Sequence, residues 1–565
     1  MKIKYYLSVL LLCLFFNGCH DLDYTEQSFS GKDDTFSTWN LTTQFFYAIY
    51  SSMQAGFSDV GDAMLESATD NSAYVWDNTN IQNFYNGVWS PINAVDGQWL
   101  AFYTGIRRAN MFLENADPAV LEPFKWQGSD YQNKLKNWAL YPYEARFLRA
   151  FFHFELAKRY GDIPLVTKSL TVDEANSVKR ESFENVMLWI AQECDSIAPY
   201  LPVSYTNADI TPGLQTGRVT RGAALALKSR ALLYLASPLH NPQGAPDYQQ
   251  KWINAASAAH DLIASKLYSN TLPAWSSVFN VWTAANTELI LERRQANSRT
   301  FEVANTSIGF GGTARSGNCP TQNLVDAFEM KSTGLGINEP GSGYTPNNPY
   351  ADRDPRLAMT VLYNGSTWTN RTLDISTNGQ DGQPLIGATP TGYYLKKYMV
   401  ENTIINGTAV TQTQHCWILF RYTEVLLNYA EAMNEAYGPN SLGDGTFTLT
   451  ALDAVNYVRG RTGVNMPPFP AGITQNDFRE KIRNERRVEL AYEGHRMWDI
   501  RRWKIGDITR DIRGMQIDKQ TDGSFKYTPI ELPVRQWDDK MYFYPIPQSE
   551  IYDTKGSLVQ NPGWE

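Results

Sequence analysis

The densest charge in the chain lies between Arg483 and Trp503, where Glu485, Glu489 and Glu493 recur four residues apart among arginines. Four residues is a little over one helical turn, so the three carboxylates would share a row. Two carboxylates facing each other across a sugar are the machinery of glycoside hydrolysis, which needs them roughly 5–9.5 Å apart. One of the pair must also stay protonated to act as the acid. Here Arg486 and Arg496 stand three residues from Glu489 and Glu493. Guanidiniums interleaved with acids hold them ionised, which suits an ion-pair network bracing helices and not a general acid. A glycoside hydrolase working through Glu489 is the alternative from another class. No other catalytic pattern stands out. There is no His-Glu-x-x-His, no P-loop and no Gly-x-Ser-x-Gly elbow, and the six histidines are scattered. Beyond the first twenty residues only Cys194, Cys319 and Cys416 remain, too widely spaced for a disulfide framework or a zinc cluster. Cys194 lies on the apolar row Ile190–Cys194–Ile197 and reads as buried packing. No metal or cofactor is expected.

A reactive thiol is expected at the start of the chain. Lys2 and Lys4 precede an apolar run over residues 5–16. That run is about half of the ~20 residues a helix needs to cross a bilayer, so it reads as an export signal. It ends Phe16-Asn17-Gly18-Cys19. Gly18-Cys19 after a hydrophobic run resembles the lipobox of bacterial lipoproteins, in which the cysteine takes a diacylglycerol and the signal is then removed. An ordinary signal peptide is the competing reading. Residues 19–34 are polar and acidic, as a flexible tether between lipid and folded body would be.

With 565 residues the chain can bury a large core or more than one domain. A net charge of −9 argues against a nucleic-acid partner, which would want a basic patch. Residues 40–270 are mostly helical in pattern, with helices expected over 40–53, 96–114 and 143–160. Gly161-Asp162-Ile163-Pro164 stops the third, and Ser182 can cap the next. Thr220 opens another, with Ala224, Leu227, Ala231 and Leu235 as its core face. Trp252, Ala255, Ala256, Ala259 and Ile263 form a further face. Alanine-rich faces let helices approach closely, as in stacked tetratricopeptide-type pairs, although no clean 34-residue period shows. Over 297–415 helical periodicity fades and Gly, Asn, Thr, Ser and Pro crowd the chain. Gly309-Phe310-Gly311-Gly312 reads as a loop there. A long irregular stretch inside a helical protein is commonly functional. Helices resume at Arg421, then over 451–460, then from Thr474 to about residue 492. Trp498 and Trp503 are expected in the core.

The run Glu-Arg-Arg-x-Glu-Leu-Ala-Tyr-Glu-Gly-x-Arg-x-x-Asp-x-x-Arg-Trp at 485–503 resembles the signature of the SusD/RagB family of surface nutrient-binding lipoproteins. Further pieces are similar in the expected order: residues 144–165, 321–328, 352–356, 421–432 and 560–564. The resemblance covers essentially the whole mature chain. It implies a mainly α fold, with tetratricopeptide-like helix pairs as a scaffold and a loop-rich portion with short strands. It implies a signal over 1–18, a lipidated tether over 19–34, an N-terminal helical region over 35–240 and a C-terminal region over 241–565 with the loop-rich insert 297–415. It also implies a non-catalytic lid on a SusC-type TonB-dependent transporter, tethered through Cys19 to the outer face of the outer membrane. The ligand would be a glycan, or a peptide in RagB-like members.

A glycan binder wants exposed aromatic faces for the C–H faces of sugars, with polar groups beside them for the hydroxyls. The best local match is Asp70, Asn71, Tyr74, Trp76, Asp77 and Asn78, continuing to Tyr85, Asn86 and Trp89. Packing of Trp76 and Trp89 against the fold is the competing reading. Arg315 and Asn318, after the glycine run, form a second candidate, and Trp368, Asn370 and Arg371 a third.

Overall fold

The computed structural model describes residues 31–205, 215–279 and 286–565. The expected export signal, Cys19 and most of the tether lie outside the described residues. The chain folds into a helical scaffold that carries a loop-rich face. Helices α1 (Trp39–Tyr50), α2 (Trp99–Asn115), α3 (Ser129–Tyr160), α4 (Phe183–Ile197), α5 (Arg221–Ala236) and α6 (Tyr248–Ala264) form the first part. Helices α7 (Tyr422–Tyr437), α8 (Ala451–Arg459), α9 (Gln475–Glu489) and α10 (Arg496–Arg502) follow the loop-rich stretch. Hydroxyl caps start several of them: Thr38, Ser182, Thr220, Thr450 and Thr474 each accept from a backbone N–H one turn on.

From α2 to α6 each helix packs on the next, and α6 then packs on α7, which also holds α8 and α9. Scaffold helices from both halves of the chain therefore share one stack and one hydrophobic core. Ala223, Ala224, Ala226 and Ala231 on α5 and Ala255, Ala256, Ala258 and Ala259 on α6 are buried at these contacts. Methyl-sized side chains bring helix axes close, which is what the alanine-rich faces were expected to do. Helix α3 is longer than its apolar pattern suggests. It begins at Ser129 and carries Pro142 inside. Its polar first turns show no core periodicity, so the sequence-based start at residue 143 falls near the proline.

The strands are short and paired in twos. β1 (Ser72–Tyr74) pairs antiparallel with β3 (Asn318–Pro320), and β2 (Leu289–Arg294) pairs with β4 (Cys416–Arg421). β5 (Arg513–Lys519) and β6 (Phe525–Glu531) form a hairpin. Between β2 and β4 the chain is mostly turns with one-turn helices at Thr300–Asn305, Gln322–Ala327 and Pro355–Thr360.

The charged run is not one helix to residue 492. Helix α9 ends at Glu489, Tyr492 and Gly494 take left-handed backbone (φ 61 and 76), and α10 starts at Arg496. The turn folds Glu493 back onto Arg421 and Lys397, at 2.6 and 2.7 Å. Glu489 meets Arg356, Arg421 and Arg461, each at 2.8 Å, and Glu485 bridges Arg356 and Arg459. The arginines come from the Pro355–Thr360 turn, the end of β4 and the end of α8, and Lys397 from the irregular chain before β4, so the network ties the end of α9 to four other segments. Glu489 is fully buried and Glu485 and Glu493 nearly so. Burial alone would raise the Glu489 carboxyl, but the Arg421, Arg461 and Arg356 guanidiniums overcome it and hold the group at about 2. An ionised carboxylate with no open face braces a fold and cannot protonate a leaving group. Trp498 and Trp503 are buried, as expected.

Candidate functional site

β-pairing decides where Trp76 sits. Tyr74 is in register with Asn318, and the Val75 N–H donates to the Gly317 carbonyl at 2.9 Å. One residue further on, the Trp76 indole Nε1 donates to the Arg315 carbonyl at 2.9 Å. The chain then turns through Asn78, at φ 58, into a short 3-10 helix at Asn80–Phe84. The far edge of the indole lies on Gly387. A Cβ at Gly387 would come 2.7 Å from Trp76 Cη2, and that glycine also takes φ 82. The ring is thus clamped at its nitrogen and at its opposite edge, and stays half-exposed.

Opposite Trp76 runs the loop 307–316. The Ile308 N–H donates to Ser316 Oγ at 2.8 Å and closes its base. Asn406 holds its tip, accepting from the Thr313 N–H at 2.9 Å and donating to the Gly311 carbonyl at 3.1 Å. Arg371 makes a two-pronged pair with Asp381, at 2.7 and 2.6 Å, and its guanidinium lies 4.0 Å over the Phe310 ring. Asp381 also accepts from Ser307 Oγ at 2.6 Å. Behind Phe310 is a pocket of about 170 Å³ lined also by Trp368, Glu401, Ile404 and Asn406.

The three sequence candidates therefore meet at one loop. Trp76 and Arg315 touch through a hydrogen bond, and Arg371 reaches the same loop through Phe310. Asp77, Asn78 and Arg315 are exposed beside the half-exposed indole, with Leu385 and Ile386 at 43 % and 83 % exposure on the segment that supports it. The surface offers an apolar ring, carboxylate and amide acceptors and a guanidinium donor.

Five of the expected site residues are placed in packing instead. Asp70 is buried between Arg496, which it meets at 2.8 and 2.9 Å, and Arg487 at 2.8 Å. Burial would raise its carboxyl, but the two guanidiniums hold it at about 2. Asn71 donates to Glu66 and accepts from Arg487, and is fully buried. Tyr74 is buried in the β1–β3 pair, which pushes its hydroxyl up to about 12. Asn318 accepts from the Met64 N–H and from Ser67 Oγ, and donates to Asn305. Trp89 lies in an aromatic cluster with Phe84, Tyr544 and Trp564, ring centroids 4.8–5.1 Å apart. Polar residues on a loop suggested exposure, whereas distant arginines and backbone groups bury them. Trp368 is likewise buried, forming a wall of the pocket behind Phe310. Phe310, Asp381, Gly387 and Asn406 were not expected at the site. The glycine run around Phe310 was the one sequence signal near them.

Two family models match the chain: the SusD family over residues 284–564, and a family described as "Starch-binding associating with outer membrane" over residues 22–235. The chain belongs to the SusD/RagB family. Among curated relatives, SusD-like protein P2 of Formosa agariphila is 22% identical over 587 residues, covering 99% of this chain and 100% of its own. Two solved structures from Bacteroides fragilis are each 26% identical. One is a SusD-like protein (TM-score 0.73, covering 94% of this chain and 98% of its own). The other is a SusD-like carbohydrate binding protein (TM-score 0.71, 92% and 99%). The run at 485–503 that resembles the family signature is the buried brace in this SusD/RagB chain, apart from the exposed residues around Trp76.

Proposed function

We propose that this SusD/RagB protein is a cell-surface glycan receptor, tethered to the outer membrane by lipid on Cys19, that captures oligosaccharide and hands it to a SusC-type TonB-dependent transporter. The observation that carries the reading is the platform at loop 307–316, where a clamped, half-exposed Trp76 stands beside Arg315, Asp77 and Asn78. A flat apolar ring rimmed by donors and acceptors is complementary to a sugar, whose C–H face stacks while its hydroxyls find the rim. The carbohydrate-binding relative in Bacteroides fragilis supports the ligand class, and the outer-membrane description of the matched family supports the location. Binding without chemistry fits an acidic row that is fully paired and buried.

The test is isothermal titration of the lipid-free mature chain against a panel of polysaccharides, with peptides as the competing class. Saturable heat with at least one glycan, and none with the peptides, is expected. Saturation by peptides alone overturns the glycan assignment in favour of a peptide-binding lid. Release of shortened product during the titration would overturn the non-catalytic reading. Palmitate labelling that is present in the parent and lost in Cys19→Ala is expected for the anchor; equal labelling in both refutes it.

A further inference from the structure

Trp126 is 95 % exposed, the highest value among the large apolar side chains of the described residues. It stands in the turn between the 3-10 helix Pro118–Phe124 and α3. An indole held fully in water leaves a large apolar area uncovered and its ring open to a partner. Its neighbours in the chain place the turn on the fold. Phe124, two residues earlier, packs edge-on against Trp39 at 6.4 Å, and Lys134 Nζ lies over both rings, at 4.6 and 5.4 Å. Trp39 opens α1, and the Lys32–Thr35 turn just before it packs on α1. Trp126 therefore marks the corner of the fold at which the N-terminal tether enters.

The geometry points to a membrane-contact surface centred on Trp126, whose indole inserts into the headgroup layer of the bilayer that holds the lipid anchor. This rests on the Cys19 reading above for its placement. Eleven residues lie between Cys19 and Gly31, the first described residue, making twelve steps along the chain. A stretch of that length spans no more than about 43 Å even when fully extended. A corner tied that closely to acyl chains meets the bilayer surface continually, so even weak insertion would be populated. Tryptophan is the side chain suited to this layer, because its ring is apolar and its N–H can face water or headgroups. The flanking charges do not select a strongly anionic surface. Lys125 pairs with Glu122 and Lys134 with Asp130, so the corner carries little net charge. The occupant is accordingly a lipid interface recognised through the indole and not through a basic patch.

The experiment is sedimentation of the lipid-free mature chain with zwitterionic phosphatidylcholine–phosphatidylethanolamine vesicles, for the parent, Trp126→Ala and Ile92→Ala. Ile92 is 86 % exposed and serves as the control for loss of any bare apolar group. Partitioning by the parent that falls about ten-fold or more in Trp126→Ala and is kept in Ile92→Ala is expected. Thermal midpoints of the three proteins should agree, since Trp126 and Ile92 are both almost wholly exposed. Equal partitioning of parent and Trp126→Ala, or none by the parent, overturns the proposal. So does a parent dimer in vesicle-free buffer that Trp126→Ala converts to monomer, since the indole would then cover a second copy. Because the protein lacks lipid, a failed Cys19 assignment leaves this readout intact, and palmitate labelling tests that assignment separately.

Discussion

At the scale of single residues, two tryptophans from one stretch of chain take opposite positions, one half-exposed and one buried. Trp76 is clamped at its edges with a face in water, while Trp89 is enclosed by Phe84, Tyr544 and Trp564. Gly387 sets the position of the first. In Gly387→Ala the new methyl would sit where the indole edge now lies and would meet a left-handed backbone. Ligand binding is expected to weaken several-fold by titration, while the far-UV spectrum stays that of the parent. Glu66 is a second informative residue. Burial raises its carboxyl to about 7, against the hydrogen bonds from Asn71 and the Tyr492 backbone. A raised carboxyl contributes stability that is complete below about pH 4.5 and lost as pH rises through about 7. Glu66→Gln removes that loss. Its melting temperature should exceed the parent's at pH 8.5 and match it near pH 5. A Glu66→Gln curve parallel to the parent's across that range would show that the group is ionised without cost.

At the scale of elements, the brace around α9 is where stability concentrates. Glu489 satisfies three guanidiniums from three other segments. Glu489→Gln leaves those charges buried with one fewer anion, a change expected to cost roughly 3–5 kcal/mol, read as a lowered melting temperature and poor soluble yield. If such a variant keeps the parent's melting temperature, the brace is not structural. With Glu489 held at about 2, its contribution is present above about pH 4.5 and is lost as pH falls toward 2. Caps and apolar faces made most of these elements legible in the sequence: Ser182, Thr220 and Thr474 cap where expected, and the alanine faces of α5 and α6 are buried. Boundaries were less legible where polar turns or a proline hid the period, as at the start of α3. For the candidate site, the residue types of Trp76, Arg315 and Arg371 singled them out in the sequence, and the structure brings them to one loop. Asp381, Gly387 and Asn406 were not, because they reach the loop through contacts between irregular segments that leave no periodic trace. Asp70 and Asn318 resembled ligand groups because nothing local reveals that Arg496 or Asn305 will bury them.

At the scale of the whole molecule, a stacked helical scaffold holds a loop-rich face in which three segments far apart in the chain meet at the proposed platform. The charges of the brace are paired inside the scaffold, while Asp77, Asn78 and Arg315 of the platform are exposed. The most direct measurement compares Trp76→Ala with Trp89→Ala in affinity for a glycan bound by the parent and in melting temperature. Trp76→Ala should weaken binding by about ten-fold or more at an unchanged melting temperature. Trp89→Ala should lose roughly 3–5 kcal/mol of stability, with little change in the affinity of the protein that stays folded. A Trp76→Ala variant that binds as tightly as the parent would contradict the platform as the ligand site.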